Sequence, residues 1–223
     1  MSTRSAMRSR ITRGRVFALL SGGVVIGLGA TATLASWSDS EWVFGGVDGT
    51  TPGLGTSAFE VEQNRGAGWD QFESANGGPL TLTAPALALT PGDSTYTQVS
   101  LRTTATTPTS IAGTLDLRSA IPAPSPMPAT EADLWAALRL RVVVYSGTPV
   151  SCDADAFVGG TYVIGTEATP AAITTAGSLT RTLSAAGGNQ QNYCFQVTLP
   201  LGSAESLQGF TATPVWEFRA TSA

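Results

Sequence analysis

The chain has 223 residues, only 13 % of them charged, and all twelve of its basic residues are Arg. Five of these arginines fall within the first 15 residues, so residues 36–223 carry seven Arg against sixteen Asp and Glu, a formal charge of −9. So acidic a surface repels nucleic acid and anionic lipid, which argues against either as a partner.

The N-terminus has the three parts of a secretory signal. An Arg-rich stretch precedes an apolar run, and the small residues Thr33 and Ala35 follow. This order predicts a helical signal peptide over residues 1–35, cleaved before Ser36, with membrane contact only during export. The alternative is a retained anchor, because residues 16–35 are just long enough to span a bilayer. Either way, we expect the protein to be secreted or at the cell surface.

A short segment follows the expected cut, and we call residues 36–44 the N-terminal segment. It is too polar for a membrane and too aromatic for a simple linker, since serines alternate with Trp37, Asp39 and Glu41, and Trp42 and Phe44 follow. A flexible joint is predicted over residues 45–55, and a folded domain over residues 56–223.

The folded domain is predicted to be all-β. Seven stretches alternate apolar and polar residues with a period of two, and turn residues separate them: residues 58–62, 79–83, 95–102, 111–117, 138–145, 193–199 and 210–219. Such alternation is typical of antiparallel strands with one buried face. Seven or more short strands indicate a jelly-roll or immunoglobulin-like β-sandwich.

One short helix interrupts the strands. Thr130 is a candidate N-cap with Asp133 three residues later, and Leu134, Trp135 and Leu138 form an apolar face. The proline-rich stretch before it is predicted to be an extended connection. Core packing explains the tryptophans of the domain better than a carbohydrate-binding platform does.

Cys152 and Cys194 are the only cysteines, and an even count in an exported chain favours a disulfide between them. Two alternatives stay open. The cysteines are catalytic or metal-binding in the first, although neither has a His partner, and Asp153 and Asp155 bind calcium in the second.

Few catalytic groups are available. The chain has neither His nor Lys, which excludes Ser-His-Asp and Cys-His sites, the His-Glu-x-x-His zinc helix and the phosphate-binding Gly-x-x-x-x-Gly-Lys loop. We therefore predict a non-enzymatic protein without catalytic, cofactor-binding or metal-binding residues.

The sequence Thr33-Leu-Ala-Ser-Trp-Ser-Asp-Ser-Glu41 resembles the export motif of the TasA and camelysin (CalY) family, whose signals are cut by a SipW-type signal peptidase. The turn Leu89-Thr-Pro-Gly-Asp93 before a strand is similar to a turn of the same family. Residues 193–200 and the two cysteines look more like the alternate-signal-mediated exported proteins of high-GC Gram-positive bacteria.

The resemblance implies a jelly-roll sandwich, a SipW-type peptidase as partner and, from TasA, self-association into fibres of a biofilm matrix. Camelysin implies a secreted metallopeptidase instead, although this chain has no His for zinc. We expect a structural subunit that assembles through its N-terminal segment as a strand added to a neighbouring sheet. A monomeric ligand-binding or adhesin module is a further alternative, and the segment could equally pair within its own domain or serve only the peptidase.

Overall fold

The structure is a computed structural model that describes residues 56–74, 77–123 and 126–223. The predicted signal peptide, its cleavage site at Thr33, Ala35 and Ser36, and the N-terminal segment lie outside the described residues. None of the described helices is long and apolar enough to cross a membrane.

Short antiparallel strands make up most of the described chain. In chain order they are β1 (Val61–Asn64), β2 (Trp69–Asp70), β3 (Ser94–Thr103), β4 (Gly113–Leu117), β5 (Ile121–Pro122), β6 (Arg139–Ser146), β7 (Thr161–Ile164), β8 (Ala171–Ala172), β9 (Arg181–Leu183), β10 (Gln191–Thr198), β11 (Pro214–Val215) and β12 (Phe218–Ser222). The single helix of the described part, α1, spans Ala129–Ala137.

Two sheets face each other. The larger has the order β2-β1-β3-β10-β6-β7, with β8 also paired to β6, and the smaller has the order β12-β4-β9. Strands β5 and β11 form a separate pair. Every pairing is antiparallel, so the predicted all-β sandwich with one short helix is confirmed.

The core lies between the two sheets. Alternate residues of β6 and β10 point inward, and Leu140, Val142 and Phe195 are fully buried. Leu115 of β4 and Leu183 of β9 meet them from the smaller sheet. The alternation of apolar and polar residues in the sequence therefore predicts which side chains of each strand point into the core.

Helix α1 covers the core as its apolar face predicts, but it begins earlier than expected. Trp135 and Leu138 are buried, and Leu134 is half-buried. The N-cap is Pro128 and no side chain caps the helix, so Thr130 lies inside the first turn. A proline is tolerated there because the first amides of a helix have no partner within it.

Two predicted strands differ in the structure. Residues 79–83 form no strand, since the Thr83 hydroxyl accepts the Tyr96 amide in place of a backbone carbonyl and Pro85 brings no N–H. The stretch 210–219 divides into β11 and β12, because the chain changes its pairing partner from β5 to β4.

The sequence missed the strands of four residues or fewer that lie between residues 69 and 183, namely β2, β5, β7, β8 and β9. So few residues show no clear alternation, and their pairing depends on distant strands.

Candidate functional site

Two of the predicted site residues lie in the described part, and they form the predicted bond. Cys152 and Cys194 are joined by a disulfide, with their Cα atoms 5.4 Å apart. Cys194 is buried on β10, whereas Cys152 is half-buried in the connection from β6 to β7. The disulfide is confirmed, and it leaves neither sulfur free as a nucleophile or thiolate ligand.

The acidic residues beside Cys152 have a structural role at the start of a 3-10 turn. The Asp153 carboxylate accepts the backbone N–H of Asp155 at 3.0 Å and so begins the 3-10 turn Ala154–Phe157. No group of three or more Cys, Asp and Glu side chains close enough to hold a metal occurs among the residues that the structure describes.

The disulfide fastens residues 147–160, which we call the flap, to the outer face of the larger sheet. Phe157 is only 4 % exposed and packs with Val143 and Cys194 in a second apolar cluster. Its ring lies between those of Tyr96 and Tyr162, with centroid distances of 6.1 and 6.4 Å. The flap therefore covers part of a sheet face that would otherwise meet solvent.

Two tyrosine hydroxyls hold the flap from beneath. Tyr145 donates to the Ala156 carbonyl, and Tyr162 donates to the Phe157 carbonyl. Burial raises the pKa of both phenols. The charge of Asp153 adds to this effect at Tyr145, whereas at Tyr162 the positive charge of Arg141 opposes it and the charge of Glu167 adds to it. Both groups stay neutral donors near neutral pH.

A shallow cleft of about 390 Å³ lies between residues 147–149 and 187–190. The Asn189 side chain accepts the Ser184 amide and donates to the Thr182 carbonyl, at 2.6 and 3.1 Å. Gln190 donates to Asn192. Because these amides already bond within the protein, the cleft offers a ligand few free polar groups.

Strand β12 borders the smaller sheet and pairs on one side, with β4. The Ala223 amide donates to the Ala112 carbonyl at 2.9 Å, and the Arg118 amide donates to the Glu217 carbonyl at 2.8 Å. These bonds fix which residues of the strand turn their backbone groups towards β4, namely the odd-numbered ones.

The even-numbered residues of β12 therefore point their backbone groups away from β4, because the direction alternates along an antiparallel strand. They are Phe218, Ala220 and Ser222. Their three N–H and three C=O groups have no hydrogen-bond partner among the described residues. This open edge is five residues long, and unpaired groups of this kind are a template for another strand.

On the other borders of the two sheets, single outward-facing carbonyls already have hydrogen-bond partners. On β7 the Val163 carbonyl accepts both the amide and the hydroxyl of Ser178, at 2.9 and 3.1 Å. On β9 the Thr182 carbonyl accepts the side-chain amides of Asn189 and Gln191, at 3.1 and 3.0 Å. Strands β2 and β8 have two residues each.

Aromatic side chains lie just inside the open edge. The Phe218 ring is 4.7 Å from that of Tyr193, and the Trp216 ring is 4.8 Å from that of Phe195. The Trp216 Nε1 and the Tyr193 hydroxyl are buried without a hydrogen-bond partner in the described part of the chain. Burial strongly raises the pKa of Tyr193. Buried polar groups without a hydrogen-bond partner are rare in native protein structures.

Comparison with protein-family models, with curated proteins and with solved structures finds no match. The likeness of the export motif to that of the TasA and camelysin family stays a prediction from the residues themselves.

Sequence reasoning missed the open edge and the tyrosines under the flap. Alternation places Phe218 and Ala220 on the inner face, but the direction of their backbone groups depends on the bonds to β4. The positions of the tyrosines only weakly indicated that something covers this face of the sheet. Each of them takes an outward position on a strand that is otherwise Val- or Thr-rich: Tyr96, Tyr145 and Tyr162.

Proposed function

We propose that the mature chain is an exported, non-enzymatic structural subunit of an extracellular fibre or surface layer. In this proposal the N-terminal segment of one copy adds as a strand to β12 of the next. The observation that carries it is the row of backbone groups on Phe218, Ala220 and Ser222 that have no hydrogen-bond partner among the described residues. Addition of this kind is head-to-tail and does not close, so it builds filaments.

The residue pattern of the N-terminal segment suits this edge. In an extended strand Asp39 and Glu41 share one face, and Trp42 and Phe44 share the other. Arg219 is exposed on the outer face of β12. With the two carboxylates on that outer face, the two aromatic side chains turn inward, towards the aromatic cluster beneath the edge.

Export is the other half of the proposal. The signal-like residues 1–35 address the chain to a SipW-type signal peptidase, and cleavage before Ser36 gives the segment a new free end. The disulfide supports an oxidising compartment such as the cell exterior.

Electron microscopy of three purified forms of the protein tests the proposal. We expect residues 36–223 to form filaments and a form lacking residues 36–46 to stay monomeric. A third form with Trp42→Ser and Phe44→Ser keeps the chain length and is expected to assemble poorly. Equal fibres from the first two forms, or none from either, would contradict the proposal.

A further inference from the structure

A row of hydrogen-bonded polar side chains crosses the outer face of the larger sheet beside the flap. Gln196 of β10 lies opposite Tyr96 of β3 on one side and Arg141 of β6 on the other. Its Nε2 donates to the Tyr96 hydroxyl, and its Oε1 accepts from Arg141 Nη1, each at 3.2 Å. All three side chains are half-buried. We call them the Arg141 row.

No carboxylate of the described residues pairs with Arg141. The one ion pair among the described residues joins Arg102 to Glu62. The Nε of Arg141 is buried and has no hydrogen-bond partner among the residues that the structure describes. Its guanidinium is therefore held by Gln196, and no acidic residue in the described part of the chain forms an ion pair with it. Fixed guanidinium groups of this kind favour planar carboxylates.

Its neighbour Arg139 differs. The Nη1 of Arg139 donates to the carbonyls of Ala136, Ala137 and Leu138 at the end of α1, at 2.8 to 3.0 Å. That guanidinium serves the helix terminus, where a positive charge is favourable. Arg141 is thus the cation that this face offers to a ligand.

Hydroxyl and aromatic groups surround the row. The Tyr96 hydroxyl accepts from Gln196 and keeps its own proton to donate. The hydroxyls of Ser94 and Thr198, 2.7 Å apart, extend the polar surface on the side away from the flap. Phe157 of the flap packs beside the Tyr96 ring and closes the other side. A fixed cation, several hydroxyls and an aromatic border form a small set of placed groups for a polar ligand.

We propose that the Arg141 row binds a carboxylated saccharide, such as a uronic acid unit of an extracellular polymer. The carboxylate pairs with the guanidinium of Arg141, and the sugar hydroxyls bond to the hydroxyls of Tyr96 and Ser94. Gln196 positions these groups, since its Nε2 donates to both hydroxyls and its Oε1 accepts from Arg141. Because residues 36–223 carry a formal charge of −9, the rest of the surface repels an anionic polymer, and its binding depends on the local positive charge of Arg141. The row lies on the larger sheet and β12 on the smaller one, so this binding does not depend on strand addition.

Titration calorimetry of the mature chain with trigalacturonate tests the proposal, with the methyl ester of the same trisaccharide as the uncharged probe. We expect the acid to bind and the ester to bind at least tenfold more weakly. Arg141→Gln is expected to weaken binding of the acid about ten- to a hundredfold, as the loss of a charged hydrogen-bonded pair implies. Arg118→Gln, at an exposed position just after β4 and away from the row, changes the net charge equally and is expected to leave the affinity unchanged.

A second variant keeps the test decisive if Arg141→Gln does not fold. Tyr96→Phe removes one hydroxyl and keeps the ring, and we expect it to weaken binding several-fold. Absence of binding by the acid, equal binding of acid and ester, or equal losses in Arg141→Gln and Arg118→Gln would each overturn the proposal.

Discussion

The guanidinium of Arg102 lies over the ring of Trp69, 3.9 Å from its centroid, while its Nε donates to Glu62 at 2.7 Å. The three residues belong to β3, β2 and β1, so the stack ties the short border strand β2 to the sheet. Lys keeps the charge but loses the planar stack and the directed bond. We expect Arg102→Lys to lower the free energy of unfolding by about 1 kcal/mol.

Urea unfolding measures this loss, with Arg219→Lys as the control because Arg219 is exposed and forms no ion pair among the described residues. Equal stabilities of the two variants would show that the stack contributes nothing.

Removal of the disulfide is expected to destabilise the chain. The bond closes a loop across 42 residues of sequence and holds the flap on the larger sheet. Cys152→Ala with Cys194→Ala should lower the free energy of unfolding by about 2–4 kcal/mol. Thermal unfolding of the wild type under a dithiol reductant should give a similar loss. Unchanged stability in both experiments would mean that the flap holds without the bond.

Gly113 of β4 has no room for a side chain. An added Cβ would lie 2.4 Å from the Phe59 ring and 2.7 Å from the Thr221 carbonyl oxygen. The Phe59 ring can move, but the Thr221 carbonyl is held in place by the pairing of β12 with β4. We therefore expect Gly113→Ala to lower the free energy of unfolding by about 1–3 kcal/mol. Denaturant unfolding checks this. Adding Phe59→Ala should not restore stability; full recovery would mean that the ring alone is the obstacle.

Asp93 closes the Pro-Gly-Asp turn before β3. The hydroxyl and the amide of Thr90 both donate to its carboxylate, at 2.7 and 2.8 Å, and these bonds lower the pKa of Asp93 below the usual 3.8. A lowered pKa stabilises the fold at pH values above 3.8, and this stability is lost as the pH falls through the folded-state pKa.

We therefore expect Asp93→Asn to be less stable than the wild type at pH 7, with the difference shrinking below about pH 4. Chemical unfolding at several pH values measures it, and Asp133→Asn on the exposed face of α1 is the control. A difference that does not vary with pH would contradict this role of the carboxylate.

The sequence predicts the parts of the fold that repeat along the chain. Strands β3, β6 and β10 have eight to ten residues each, and their alternation predicts a sandwich and the side chains that point into its core. It does not predict that the flap also buries Val143 and Cys194 on the opposite face. The disulfide follows from two cysteines in a chain with an export signal. These features depend on local pattern or on counting.

The open edge and the Arg141 row could not be predicted in the same way. Whether the amide of Ala220 points to β4 or to solvent depends on bonds made by Ala223 and Arg118 at either end of the pairing. Likewise, Tyr96, Arg141 and Gln196 are far apart in sequence and meet because β3 and β6 both flank β10. Strand order and register decide both, and neither is visible in the alternation.

Amide hydrogen exchange on β12 tests the central claim most directly. The protein lacking residues 36–46 is mixed with a synthetic peptide of residues 36–44, and exchange rates are read by NMR. The amides of Arg219 and Thr221 already face β4, so they are the internal reference.

We expect the peptide to slow exchange at Phe218, Ala220 and Ser222, whose amides point away from β4, and to leave the two reference amides little changed. A scrambled peptide of the same composition should have no effect. Rapid exchange at these three amides with saturating peptide would contradict strand addition at β12.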